Sequence, residues 1–405
     1  MSEAVERIDS DSDQEQSGSS IYGRAFWLLF AASFALNFVA NLFVLFPLWI
    51  VDRGGSAATI GAIVGTGSLA ALAVRPGLGM LIDRRGCRLT AMVFLVLDVF
   101  AIALYLTIHS LGPLIYLVRA LHGAAEGTAR VALFAMVYEM LPRGREGEAM
   151  ATFSLCGMMP GALAPMIAEQ IVNSFGFNVF FAIAIALIAA AAAIAFFTPD
   201  DRPQPHHTHV QLSGRGYLAV LLDRELLPLW IVTLLFSLAI SPRLSFVAPF
   251  AYQEGVRRVG IYFLLYSVMA VIVRLGGGRV MDRIGLNRMI VPTMLTLAVG
   301  IAMLAWTGRF GMLDVAAIIG GIGHGYLYPA LSALVISRTK GGAMGRSSSV
   351  YTSLYDFGAM AGPYMLGLLA HASGYSPMFA VAGGFALVGA VYFALAEPDS
   401  LVLGG

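Results

Sequence analysis

Charge is what this 405-residue sequence has least of: Asp, Glu, Lys and Arg together make up 12%, where soluble domains average roughly a quarter. The net charge is only +1, which excludes the basic face that a nucleic-acid partner would need. Lysine is nearly absent, Lys340 being the single one among 25 basic residues. Cysteine is scarce too. Cys87 and Cys156 form neither a disulfide framework nor a metal-ligand pattern. No Gly-rich phosphate loop follows a strand, and no nucleophile elbow or HExxH run is present. These absences leave no basis for expecting an enzyme, a cofactor or a metal centre.

What remains is apolar. Hydrophobic residues make up 58% of the chain and the mean hydropathy is +0.79, so lipid rather than water is the expected solvent. Residues 1–23 are polar and acidic, and such a segment is expected to be disordered. Arg24 then opens an apolar run to Val51, longer than the roughly 20 residues that cross a bilayer. Eleven further spans follow at about 57–82, 89–109, 113–139, 149–172, 177–197, 226–250, 258–281, 288–308, 312–337, 348–370 and 376–396. An all-α membrane protein with twelve transmembrane helices is therefore expected. The weakest boundaries are Asn173 to Asn178 and Ser373 to Pro377.

The longest polar connection is Thr198–Glu225, so the chain divides as six plus six. The expected parts are a first half at 24–197, a linker at 198–225, a second half at 226–397 and a tail at 398–405. Basic residues fix the orientation. Loops after the even-numbered spans hold fourteen of them. The other side holds Arg53, Arg257, Arg258 and Arg309, so both termini are expected in the cytoplasm. His206, His207 and His209 in the linker read as a solvated stretch rather than a metal site.

An internal repeat appears at a shift of 199 residues. Val74-Arg75-Pro-Gly77-Leu-Gly79 through Asp83-Arg84-Arg-Gly86 matches Val273-Arg274-Leu-Gly276-Gly-Gly278 through Asp282-Arg283-Ile-Gly285, with Gly61 and Gly260 also in register. Parallel six-helix repeats are the mark of one transporter architecture. The stretch Gly79, Asp83, Arg84, Gly86 and Arg88 resembles the loop motif of the major facilitator superfamily. Gly278, Asp282, Arg283 and Gly285 resemble its second copy. The resemblance runs from about residue 24 to 397 and implies a gate in which Gly79 and Gly278 allow close helix approach.

The fourth span, Arg119-Ala-Leu-His122-Gly123-Ala-Ala-Glu126-Gly127, resembles a motif of proton-coupled members. Here His122 replaces a Gln and Glu126 a small residue. Gly157-Met-Met-Pro160-Gly161 through Ala164-Pro165 in the fifth span, and Gly362-Pro363 in the eleventh, add a resemblance to the efflux branch (arabinose efflux permease-like and drug–proton antiporters). The resemblance implies a small-molecule substrate, protons, a monomer and a bacterial inner-membrane location. It also implies a cavity lined by spans 1, 4, 7 and 10.

Each of those spans carries a polar stripe at helical spacing. The stripes are Ser33, Asn37 and Asn41; Arg119, His122, Glu126 and Arg130; Ser237, Ser241 and Ser245 beside Arg243; and His324, Tyr328 and Ser332. Hydrogen bonding between helices would give the Ser and Asn stripes equally well. Glu126, at mid-membrane, needs a partner or a proton. It is either a proton or substrate-charge site, or half of a static pair with Arg130. Arg75 lies roughly 12 Å inside the cytoplasmic face at 1.5 Å per residue. Asp98 and Asp356 lie at similar depth, and the structural pair with Asp98 is slightly favoured over a bridge to Asp356. The function expected is proton-coupled export of a small organic molecule. Import or uniport of a metabolite is the alternative, with a non-transporting sensor behind it.

Overall fold

The computed structural model describes residues 22–141, 145–198, 214–306, 311–340 and 343–398. Arg143, Arg202, the His206–His209 cluster, Arg309, residues 1–21 and the tail beyond 398 lie outside these, as does the side chain of Asp282. Six membrane-length helices precede a short linker helix, Gly214–Leu221, and six follow it. They are α1 (Arg24–Asp52), α2 (Ala57–Arg85), α3 (Cys87–Tyr105), α4 (Pro113–Glu139), α5 (146–175), α6 (177–197), α7 (Leu227–Gln253), α8 (Val259–Ile284), α9 (Leu286–Met303), α10 (Met312–Arg338), α11 (Met344–Ser373) and α12 (Tyr375–Ala396).

Among the described residues, nine helices are long and apolar enough to cross a membrane, one of them being the bent α5–α6 run. The remaining two, α4 and α11, match them in length but are more polar, because they hold the charged residues described below. Large side chains such as Leu117, Phe197, Leu275 and Leu395 are exposed on the outside, as lipid-facing helices require.

The two weak boundaries fall at glycines. Gly176 (φ 77°) separates α5 from α6, and Gly374 (φ 89°) separates α11 from α12. Only a residue without Cβ enters these conformations freely. α7 is jointed at Ser241, where Pro242 starts its second part, and α1 passes through one 3₁₀ turn at Phe43–Leu45.

Within the first half, α4 packs on α2 and α3, and α1 on α5–α6. In the second half, α10 packs on α8 and α9, and α7 on α11 and α12. The halves meet along two seams, α2 against α11 and α5 against α8. Both seams are tight away from the face that carries the chain ends. A Cβ on Gly367 would stand 2.7 Å from the Ala57 carbonyl oxygen and 3.0 Å from the Gly61 Cα, and one on Gly260 would overlap Met166. Eighteen residues make five turns, so Gly79 lies on the same face of α2 as Gly61, and Gly278 on the same face of α8 as Gly260. Yet no atom of the described residues lies within 4 Å of where a Cβ on Gly79 or Gly278 would be. The seams therefore splay toward the terminal face: the halves are closed at the opposite end and parted at the terminal one.

This corrects the expected role of the motif glycines. Gly79 and Gly278 make no close approach in this conformation, because the halves are apart there. Gly86 (φ 81°) and Gly285 (φ 89°) have the immediate conformational role, ending α2 and α8 in backbone geometry open to glycine.

Candidate transport site

The α4 stripe forms a connected cluster. Residues three and four apart share a helix face, and here Arg119, His122, Glu126 and Arg130 meet α3. Arg130 donates to the Glu126 carboxylate. An arginine N–H donates to His122 Nδ1, Arg119 Nη1 lying 3.1 Å away. Arginine has no acceptor, so Nδ1 accepts, and the neutral imidazole carries its proton on Nε2. That nitrogen faces two carboxylates at once: Asp98 Oδ1 at 3.5 Å and Glu126 Oε2 at 3.9 Å. Tyr105 Oη is 3.2 Å from Nδ1, and Phe43 closes over the ring with centroids 4.5 Å apart.

Burial grades this cluster. The side chains of Asp98 and His122 are 0% and 1% exposed, Glu126 is 19% and Arg130 is 47%. Neither Asp98 oxygen has a hydrogen-bond partner, nor does His122 Nε2. A buried carboxylate without a donor is unfavourable in its ionised form. Proximity to α2 is enforced by small residues: a Cβ on Gly123 would stand 2.8 Å from the Gly67 Cα.

Asp98 is thus committed to α4, and Arg75 has the other partner. Arg75 Nη1 donates to Asp356 Oδ2 across the seam between the halves. The favoured pairing with Asp98 is overturned: α2 turns Arg75 toward α11, whereas α3 turns Asp98 toward His122. If this bridge matters as a charge pair, Arg75→Asp and Asp356→Arg each lower transport by at most about fivefold, since an exposed pair contributes about 0–1 kcal/mol. The double swap restores it. Uptake assays on the three variants check this.

Other candidates turn inward on their own helices. Asn37 and Asn41 donate to the Ser33 and Asn37 carbonyls, both at 2.8 Å. Ser241 donates to the Leu238 carbonyl at 2.8 Å, and Ser237 bonds the Tyr355 carbonyl of α11. In the second half Arg243 lies over the Tyr266 ring (4.3 Å), His324 sits between Phe236 and Tyr266, and Tyr328 packs on Tyr351 and Tyr355. At the terminal face Asp83 and Arg84 are exposed and make no ion pair among the described residues, Arg283 is exposed, and Arg88 donates to the Phe196 carbonyl.

One residue lacked any expectation. Glu169 of α5, 7% exposed, accepts from the backbone N–H groups of Val259 (2.8 Å) and Gly260 (2.9 Å). It caps the N-terminus of α8 from the other half, satisfying donors that a helix leaves free. A lone acid near the end of an apolar span was its only sequence signal, and its partners are backbone atoms. Charge-assisted bonds of this kind contribute roughly 1.5–3 kcal/mol. Glu169→Ala should therefore shift the population toward opening at this end by roughly tenfold or more, read as increased thiol labelling of cysteines placed along the α5–α8 seam.

The sequence profile of the Major Facilitator Superfamily matches residues 27–308 and 229–402. The chain belongs to this superfamily. It is a multi-pass membrane transporter, not an enzyme. Its relatives include the multidrug resistance protein MdtG of Citrobacter koseri, 25% identical over 328 residues (78% of this chain, 79% of the relative). The staphylopine export protein of Staphylococcus aureus is 21% identical over 382 residues (92% and 95%). Among solved structures, the nucleoside transporter NupG superposes with a TM-score of 0.78 at 15% identity, covering 92% of this chain and 99% of its own. That likeness shows the fold.

Proposed function

We propose that this superfamily member exports a small organic molecule in exchange for protons, with Asp98, His122 and Glu126 as its proton site. The arginine bias of the loops supports cytoplasmic termini, and in that orientation the conformation described faces inward. Export is also what the staphylopine relative is named for, and both relatives extend over more than three quarters of this chain.

The observation that carries the reading is one imidazole N–H set between two carboxylates of unequal exposure. The inner acid, Asp98, has no hydrogen-bond donor among the described residues, a site that suits a neutral carboxyl better than a carboxylate. The outer acid, Glu126, is paired with Arg130. When rearrangement of the halves withdraws Arg130, His122 gives its Nε2 proton to Glu126 and takes the proton of Asp98 in its place, so one proton passes from the inner acid to the outer and the imidazole stays neutral. Alternating access then links the Glu126–Arg130 contact to the side on which the proton is exchanged. The static-pair reading of Glu126 and Arg130 leaves the buried Asp98 carboxyl and the aligned His122 without a role. Everted vesicles with a pH-sensitive dye, challenged with a panel of organic molecules, test the reading: a substrate must dissipate the proton gradient in wild type.

A further inference from the structure

The second half contains a structure that the proton site does not use. Five aromatic rings run in one unbroken series across α7, α8, α10 and α11. Tyr266 lies 5.7 Å from His324, His324 5.6 Å from Phe236, Phe236 5.6 Å from Tyr355, and Tyr355 5.2 Å from Tyr328. Each end of the series carries a guanidinium: Arg243 Cζ is 4.3 Å from the centre of the Tyr266 ring, and Arg274 Cζ is 5.9 Å from that of Tyr328.

Among the described residues, ion pairs at the membrane level engage Arg75 and Arg130, and no carboxylate lies within ion-pair distance of Arg243 or Arg274. The one acid beside the series, Asp356, is taken by Arg75. The repeat shows that this is a difference between the halves. Arg75 and Arg274 correspond at the shift of 199, and Gly157 and Gly161 of α5 correspond to Gly358 and Gly362 of α11 at a shift of 201. The counterpart of Asp356 is therefore Leu155. The first-half arginine has its carboxylate, whereas the second-half arginine has a leucine in that place.

Three polar atoms of the series are also buried without a hydrogen-bond partner: Tyr266 Oη, His324 Nδ1 and Arg274 Nε. Tyr266 is 3% exposed. Half-buried cations without a carboxylate, beside buried polar atoms that lack a partner, favour an anion, and aromatic faces favour a flat apolar body.

Resting on the transport reading, we infer that the substrate is an organic anion with a planar, unsaturated body, drawn to the positive charge of Arg243 and Arg274 at the two ends of the ring series. Cationic substrates are disfavoured at this wall, because both fixed charges repel them.

Binding to the purified full-length protein, at fixed pH and without a gradient, tests this apart from proton coupling. The probes are naphthoate, neutral naphthamide and naphthylmethylammonium, which share a ring system and differ in charge. Naphthoate is expected to bind and to raise thermal stability, with the other two weaker by roughly tenfold or more, the usual scale for losing a charge-assisted contact. Arg243→Gln and Arg274→Gln should each reduce naphthoate binding by a similar factor, and Arg→Lys at either position should retain part of it. Equal or stronger binding of the ammonium probe, binding of naphthoate unchanged in the double Gln variant, or no binding of naphthoate overturns the inference. The comparison of probes on wild type decides even if the Gln variants fail to fold. A failure here leaves the proton site intact. Naphthoate transport into everted vesicles without proton movement would overturn the proton reading alone.

Discussion

Replacing Glu126 with Gln is expected to abolish gradient-driven transport while downhill exchange of substrate survives, and Asp98→Asn should do the same with less damage to the fold. The two substitutions differ in what they leave behind. Glu126→Gln strips Arg130 of its counter-ion, so part of its effect comes from an uncompensated cation. Asp98→Asn replaces a carboxyl whose oxygens are both unpartnered by a neutral group of the same shape, mimicking the protonated acid permanently. The variant should be at least as thermally stable as wild type. Coupling free energies between two ligands run at about 1–3 kcal/mol, or 5–150-fold. Loss of the proton site should therefore lower accumulation against a gradient by at least fivefold, toward the level seen with no gradient. Accumulation assays in proteoliposomes with and without an imposed pH difference measure this. Full coupling in Asp98→Asn would remove the inner acid from the relay and leave Glu126 as the sole proton site.

A second large effect is expected at the glycine seam. Gly367→Val places side-chain atoms against the Ala57 carbonyl oxygen and the Gly61 backbone, and backbone cannot yield as a side chain can. Overpacking of this kind costs about 1–3 kcal/mol, and a shift between conformers of 5- to 150-fold follows from such energies. Gly61→Val and Gly367→Val should hold the halves apart at the face away from the termini and stop turnover. Gly79→Val should do the reverse. Its Cβ meets nothing in the present conformation, so it is tolerated here and obstructs closure at the terminal face. Distances between spin labels placed at the two ends of the α2–α11 seam report both shifts. Cys87 and Cys156 are buried, which keeps unwanted labelling low. Movement in the same direction for Gly61→Val and Gly79→Val would contradict the splayed geometry.

Much of this architecture could be read from the sequence, because lipid imposes simple rules. Apolar length and the 199-residue repeat gave twelve helices in two related halves, and the weak boundaries near residues 173–178 and 373–377 proved to be glycine breaks at Gly176 and Gly374. The stripe on α4 was legible too, since residues three and four apart must share a face. What a single helix cannot show is which neighbour its face meets. Asp98 and Asp356 lie at similar depth, and only the packing of α2, α3 and α11 decides that Asp356 takes Arg75. Polar stripes mislead for a related reason. Asn37 and Asn41 have the spacing of cavity residues, yet their amides return to carbonyls four residues back, an arrangement with the same period. Glu169 escaped notice because its partners are backbone N–H groups, which leave no pattern of side chains. The pairing of Arg274 with an aromatic series emerged only once four helices had been brought together.

The central claim is that movement of substrate is coupled to that of protons through one cluster on α3 and α4. Its most direct test is proton flux in everted vesicles carrying wild type or Glu126→Gln, monitored by a pH-sensitive dye as substrate is added. Substrate-dependent dissipation of the gradient in wild type, absent from the variant although it still exchanges substrate downhill, is the predicted result. Undiminished dissipation in Glu126→Gln, or substrate transport by wild type with no proton movement, would contradict it.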